Sequence, residues 1–478
     1  MIIVDPKPKF DLSPYLFMQF MEPLGTTDSS LEAAWDFDNK CWREDLVEVT
    51  KELAPEMIRL GGCWSSYYKW KEGIGPRDKR VPMLNLVWGG MESNHVGTHE
   101  FVDFCRRVGA EPLICVNFES DGRKKWANHI AAGNRAGTPD EAAEWVDYCN
   151  NPSNIERIKN GAKNPFNVKY WQIGNETSYD SDGYDVETAA QRTVAFAKAM
   201  RQADPTIKLL AWGDSGWAKR MVEVAGEHVD FIAFHHHFDS GLPDSPLFGV
   251  DYRRDFSRTW EHLMNTYKSM EKRFSEMREE ISGSGKMLAM TEGHFCLPGR
   301  NRCEVLSSWA AGVANARMLN VQQRHGDILK IATLADFCGT RWLVNAIILP
   351  TPKTRAKAFM MPVASVMALY RKHIGEKAIN IQSKNSDLDV VSSRTGNTIF
   401  IHVINIKRTQ SIEAKINVKG MKILSGRIFE IADEPEREIF ENAPPFAPKE
   451  WQFPSNGIWS FPPASVSAIK LEVAEEKK

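Results

Sequence analysis

Between about residues 15 and 375 the sequence alternates short apolar runs with amphipathic helical patterns, and few architectures accept that alternation. The runs are Tyr15–Phe20, Met57–Gly62, Pro112–Phe118, Val168–Glu176, Ile207–Gly213, Val229–His237, Met287–Phe295 and Ile328–Leu334, eight in all. Each is continuously apolar rather than alternating, as strands covered on both faces by helices must be. Helices fit between them. Thr98 to Gly109 has a polar start, apolar residues at helical spacing and a closing glycine. Thr138-Pro-Asp-Glu141 supplies an N-cap, a first-turn proline and a third-position glutamate. Longer helical patterns follow at about 186–203, 256–280, 303–322 and 359–373. Eight βα units in series predict an α/β fold, a (β/α)8 TIM barrel. A doubly wound open sheet would carry a glycine-rich phosphate loop after an early strand, and the sequence has none.

After Gly375 the texture changes. Leu388–Ser393, Thr398–Ile404, Ile412–Val418, Ser425–Ile431 and Val466–Val473 are β-rich, several with two-residue alternation, between polar turns. This predicts a C-terminal antiparallel β-sandwich domain. The expected division is 11–375 for the catalytic barrel and 376–478 for the sandwich, with 1–10 as a candidate extra strand. The tail from Glu472 is expected to fray.

Composition narrows the function. The net charge of −2 gives nothing to steer the chain to nucleic acid or an anionic membrane. No apolar run approaches ~20 residues, so no membrane span is expected. The N-terminus lacks the basic, apolar and small-residue segments of a signal peptide. The eight cysteines form no C-x-x-C pair, which speaks against structural zinc. Reduced thiols and a cytoplasmic location are the expectation, with export left open. No cofactor is called for.

In a barrel the chemistry sits at the C-terminal ends of the strands. The fourth run ends in Asn175-Glu176 and the seventh in Thr291-Glu292. A carboxyl closing an apolar strand is costly unless it is paired or used. Two glutamates emerging from the fourth and seventh strands would face each other across the barrel mouth, as glycoside hydrolysis requires. Other strand ends offer Glu22, Arg59, Asn117 and His235. Glu22 is placed to meet sugar hydroxyls, Arg59 to orient the nucleophile and His235 to bond a catalytic carboxylate. His235 and His237 share one strand face, but two ligands without a third are too few for a metal. Trp64, Tyr67, Tyr68, Trp70 and Trp88 make an aromatic stretch after the second strand, fit either for loop packing or for stacking on sugars.

These residues stand in a recognisable setting. Arg59-Leu-Gly-Gly-Cys-Trp64, then Trp70-Lys-Glu-Gly-Ile-Gly-Pro-Arg77, then Glu92-Ser-Asn-His-Val-Gly-Thr-His-Glu-Phe-Val-Asp-Phe-Cys105, then Gly174-Asn-Glu176 resemble glycoside hydrolase family 51. That family belongs to a clan of retaining barrel hydrolases and consists mostly of α-L-arabinofuranosidases. The resemblance is dense over about 15–240 and thinner to about 350. It implies that Glu176 is the acid/base and Glu292 the nucleophile. It implies that Asn175 bonds the hydroxyl beside the reacting carbon, that Glu22 and His235 are sugar-site residues, and that Cys63 occupies a position where members carry Asn or Cys. Asp336 is the nearest match for the sugar-binding amide of the last strand. The sequence departs at Pro23, where members show histidine, at His237, where tyrosine is frequent, and around Glu292. The implied activity is release of α-L-arabinofuranosyl residues from plant cell-wall-type polysaccharide or oligosaccharide. An endo-β-1,4-glucanase or xylan-active hydrolase is the alternative, and a non-catalytic carbohydrate-binding protein a remote one. Carbohydrate is the expected partner, and members' frequent hexamers make a homo-oligomer a further expectation. Double displacement calls for a raised pKa on Glu176 and carboxyls ~5–5.5 Å apart.

Overall fold

The computed structural model describes residues 1–118, 135–179, 185–239, 244–297 and 302–476. Eight parallel strands lie side by side in chain order: Gln19–Met21, Met57–Leu60, Glu111–Val116, Tyr170–Ile173, Lys208–Trp212, Phe231–Phe238, Met287–Phe295 and Leu329–Ala332. The sheet curls, and beside its first strand the Met18 N–H donates to the Ala332 carbonyl of its eighth at 2.9 Å. Past the first strand it continues through Asp336–Gly339, Asn345–Ile348 and Phe359–Met360. Each apolar run of the sequence holds one of the eight strands, with shifted ends. Pro14–Phe17 is a turn of 3-10 helix rather than strand, because Ser13 Oγ accepts the Tyr15 N–H at 3.2 Å and Pro14 favours a helical first turn.

The expected caps form. Thr138 Oγ accepts the Glu141 N–H at 3.1 Å to open the Pro139–Asn150 helix, and Gly109 closes Thr98–Val108 at φ +81°. The pattern over 256–280 is two helices, Phe256–Asn265 and Tyr267–Glu280. They meet at Thr266, whose hydroxyl bonds back to the His262 carbonyl and competes with the helix ladder.

The C-terminal strands join one sheet of nine. It contains the expected strands plus Lys377–Ser383, Lys449–Gln452 and Ile458–Phe461. Lys449–Gln452 is exposed throughout and so left no burial pattern to read. Ile2–Asp11 does add to this sheet. It pairs antiparallel with Lys377–Ser383 and parallel with Ile412–Val418, so the sheet is not wholly antiparallel. Nor does the tail fray at Glu472: the strand Ser465–Glu475 runs on, with Glu475 opposite Met421. This sheet encloses its own apolar core, including Ile2, Val4, Ile401, Ile416, Phe461 and Ile469.

The helix Trp309–Arg324 is buried along nearly all its length, because the C-terminal sheet covers it. Trp309 donates its indole N–H to the Ala464 carbonyl at 2.7 Å. Asp389 of the C-terminal sheet accepts from Arg317, Asn320 and Arg324 at 3.0, 2.9 and 2.9 Å. Burial pushes the Asp389 carboxyl up, but Arg324 and Arg317 outweigh it and hold it below the usual range. Asp389→Ala strands the buried Arg317 cation and should lower stability by about 3 kcal/mol, read by denaturant unfolding. The loss should shrink at low pH, where the wild-type carboxyl also becomes neutral. None of the eight cysteines is bonded to another. Among the described residues no helix is long and apolar enough to cross a membrane.

Candidate active site

The backbone at three strand ends does unusual things. The chain leaves Tyr170–Ile173 through Gly174 at φ +76°, where a Cβ would lie 2.9 Å from that of Phe118. Glu176 follows at φ +53°, a left-handed conformation that costs a non-glycine residue roughly 1 kcal/mol or more. At Gly62, φ +138°, a Cβ would come within 2.2 Å of the Glu22 carboxyl carbon, so the missing side chain is the space that Glu22 occupies. Between the sixth and seventh strands Phe234 pairs with Met290 but His235 pairs with Glu292, leaving Thr291 as an extra residue. This bulge sets Glu292 level with His235, and His294 level with His237.

Arg59, fully buried, ties the site together. It donates through Nε to Gln172 Oε1 at 2.9 Å, through Nη1 to Glu292 Oε1 at 2.8 Å and through Nη2 to Asn175 Oδ1 at 2.6 Å. A buried guanidinium is tolerable when its charge and donors are answered in this way. With Oδ1 engaged, Asn175 keeps its Nδ2 buried without a partner among the described residues. His235 Nδ1 lies 2.8 Å from Glu176 Oε1 and 3.5 Å from Glu292 Oε2, while its Nε2 meets Thr291 Oγ1 at 3.0 Å. His237 Nε2 is 3.8 Å from Glu292 Oε2. The Cys63 thiol donates to Glu176 Oε2 at 3.6 Å. Glu22 Oε1 accepts from the Cys63 N–H at 2.8 Å and the Trp88 indole N–H at 2.9 Å.

The carboxyls are driven apart in protonation. Burial pushes Glu292 up, but His235, a hydrogen bond from His237, and Arg59 together hold it well below the carboxylate range. Glu22 is in no ion pair among the described residues. Burial, then the Glu292 charge, pushes it up to about 8. Asp336 is raised well above its ordinary value by burial and by Glu22. Burial, with the neighbouring His237, pushes His294 down to about 3.

The structure thus gathers Glu22, Arg59, Cys63, Trp88, Asn175, Glu176, His235, His237 and Glu292 at the C-terminal strand ends. Asp336, on the strand beside Phe20 and not on the eighth, is close enough to feel Glu22 and Glu292. Asn117 is spent elsewhere: its amide bonds the Tyr68 and Arg135 carbonyls and the Gly137 N–H, fixing loops. The aromatic stretch is mainly packing. Tyr67, Tyr68 and Trp70 are buried. Trp64 is buried as well, edge-on to Tyr68 with ring centroids 4.2 Å apart. The histidines are not short of further ligands. Glu176, His235, His237 and Glu292 each present a donor atom, all within 4.8 Å of one another. Gln172, Thr291, His294 and Trp342 escaped the sequence reading. Gln172 and Thr291 are strand-interior polar residues near the two glutamates, a signal that was available. His294 meets His237 and Trp342 at ring distances of 4.7 and 5.6 Å, which only the bulge reveals.

Parallel strands in chain order thus bring two glutamates, an arginine and a histidine together at their C-terminal ends. Residues 49–244 match the family described as Alpha-L-arabinofuranosidase 1 domain. A probable alpha-L-arabinofuranosidase C of Aspergillus fumigatus is 37% identical over 189 residues, 38% of this chain and 34% of the relative. The intracellular exo-alpha-(1->5)-L-arabinofuranosidase of Acetivibrio thermocellus is 30% identical over 334 residues, 65% of this chain and 62% of the relative. The matches therefore span about a third of the fungal relative and under two thirds of the bacterial one. The structure of the thermostable GH51 alpha-L-arabinofuranosidase from Thermotoga petrophila superposes with a TM-score of 0.80 at 25% identity, covering 98% of this chain and 99% of that one. The chain is thus similar, in sequence over these stretches and in fold over nearly its whole length, to the arabinofuranosidases of glycoside hydrolase family 51.

Proposed function

We propose that this chain is a retaining glycosidase that releases α-L-arabinofuranosyl residues from plant cell-wall-type saccharides. The observation that carries the reading is the pairing of Glu176 and Glu292, with carboxylate oxygens within 4.8 Å. Inverting enzymes need carboxyls roughly 6.5 Å or more apart to admit a water, so this spacing favours double displacement. Glu292, kept ionised by Arg59 and the histidines, attacks the anomeric carbon. Glu176 protonates the departing oxygen, then takes the proton of the incoming water. Asn175 Nδ2, buried without a partner among the described residues, suits the hydroxyl next to the reacting carbon. The relatives' names supply the arabinofuranosyl group.

The wider scaffold is read in the same way. Residues 11–375 form a closed (β/α)8 barrel, for which the Met18–Ala332 bond is support. Residues 376–478 with 1–10 form a β-sandwich, supported by their separate apolar core. The eight free thiols suit a reducing, cytoplasmic compartment.

Release of 4-nitrophenol from aryl α-L-arabinofuranoside, β-D-xyloside, β-D-glucoside and β-cellobioside tests the glycone. Turnover of the arabinofuranoside is expected. Cleavage of the cellobioside alone would move the chain to the endoglucanase reading. Glu22 adds a pH prediction. With Oε1 accepting two N–H groups, its protonated Oε2 donates to a sugar hydroxyl below about pH 8 and loses that proton above it. The new charge also sits beside Glu292. Activity, measured as kcat/KM, should therefore fall through about pH 8, and Glu22→Gln should flatten that limb while raising KM. An unchanged alkaline limb in the variant would remove Glu22 from this role.

A further inference from the structure

We infer that Glu176, His235, His237 and Glu292 also form a binding site for a divalent transition-metal ion of the zinc type, and that its occupancy shuts the catalytic pair. Two imidazoles and two carboxylates are a donor set that suits zinc or cobalt rather than magnesium or calcium. Bonds of ~2.0–2.2 Å around a tetrahedral ion put neighbouring donor atoms about 3.3–3.5 Å apart. Here His235 Nδ1 lies 2.8 Å from Glu176 Oε1 and 3.5 Å from Glu292 Oε2, and His237 Nε2 lies 3.8 Å from Glu292 Oε2. All four donor atoms lie within 4.8 Å of one another, so shifts on the order of an ångström bring them onto one ion.

The surroundings favour the same atoms. Thr291 Oγ1 engages His235 Nε2, which turns Nδ1 toward the carboxylates. Arg59 takes Glu292 Oε1 and leaves Oε2 on the cluster side. His237 is 22% exposed and gives an entry path from solvent. His237 also completes the set of four donors. The ion displaces the protons shared among these groups to solvent and adds a +2 charge between two carboxylates. With both glutamates coordinated, neither attack nor proton transfer is available.

Cobalt(II) titrated into the full chain is the direct probe, because tetrahedral coordination gives a visible absorption band. One equivalent should produce the band, and Zn²⁺ should displace it. His237→Phe and Glu292→Gln should weaken binding by more than about 100-fold, beyond the roughly 10–100-fold that changes outside the ligand shell cause. His262→Ala, which removes a histidine paired with Asp239 outside the cluster, should leave the band unchanged. No band at one equivalent, or a band that survives in both folded cluster variants, would overturn the site. The inhibition arm rests on the glycosidase reading: Zn²⁺ should inhibit competitively and EDTA should restore the rate. A band in a protein that cleaves no glycoside keeps the site and removes the proposed function instead. Turnover that continues at saturating Zn²⁺ with the band displaced overturns the claim of shut-off.

Discussion

Glu292→Gln is expected to reduce turnover on the order of 10⁵-fold, the scale seen when a covalent nucleophile is removed. The amide keeps the size of the carboxylate and loses its charge. In the wild type that charge answers Arg59 at 2.8 Å and the histidines on the other side. The neutral amide neither attacks the anomeric carbon nor balances the buried guanidinium. A second consequence follows for stability. Arg59 keeps Gln172 and Asn175 as acceptors but loses the one anion bonded to it among the described residues, so stability should fall by about 3 kcal/mol, the low end for a broken buried pair. Substrate binding should change far less than kcat. A variant that retains more than about a hundredth of the wild-type rate would contradict the nucleophile assignment.

Glu176→Ala should behave differently with different leaving groups. A 4-nitrophenolate leaves with little protonation, so glycosylation of Glu292 should slow by about 10²-fold. A sugar alkoxide needs the proton, and the loss there should approach about 10⁴-fold. Water attack on the glycosyl-enzyme also loses its base, so the intermediate should accumulate. Azide needs no deprotonation and fits the space left by the carboxyl, so it should restore turnover and yield a glycosyl azide. The variant also removes the carboxylate 2.8 Å from His235 Nδ1. Uniform loss on both kinds of substrate without azide rescue would leave Glu176 as a support for His235 and not the acid/base.

The parallel strands were legible because strands buried on both faces must be apolar without interruption, and the runs containing Pro112–Phe118 and Ile207–Gly213 show that plainly. Glu176 and Glu292 were legible for the complementary reason that a carboxyl ending such a run stands out. What escaped were features set by geometry rather than by residue type. The one-residue bulge at Thr291 decides which histidine faces Glu292, and no pattern in Met287–Phe295 marks it. Asn117 has the chemistry of a sugar-binding amide, yet three loop contacts consume it. Trp64 has a stacking surface, but the fold buries it. Strand alternation counts ligands along one strand and so finds only His235 and His237, whereas the two glutamates beside them arrive from other parts of the sheet. Lys449–Gln452 and the strand to Glu475 owe their existence to pairing partners far away in the chain.

The most direct test of the central claim is mass spectrometry of Glu176→Ala, quenched with acid during turnover of 4-nitrophenyl α-L-arabinofuranoside and digested. The account predicts a pentosyl adduct on the peptide that carries Glu292, lost when azide is added before the quench. Turnover without any adduct and with the product anomer inverted, or an adduct on a different residue, would contradict it.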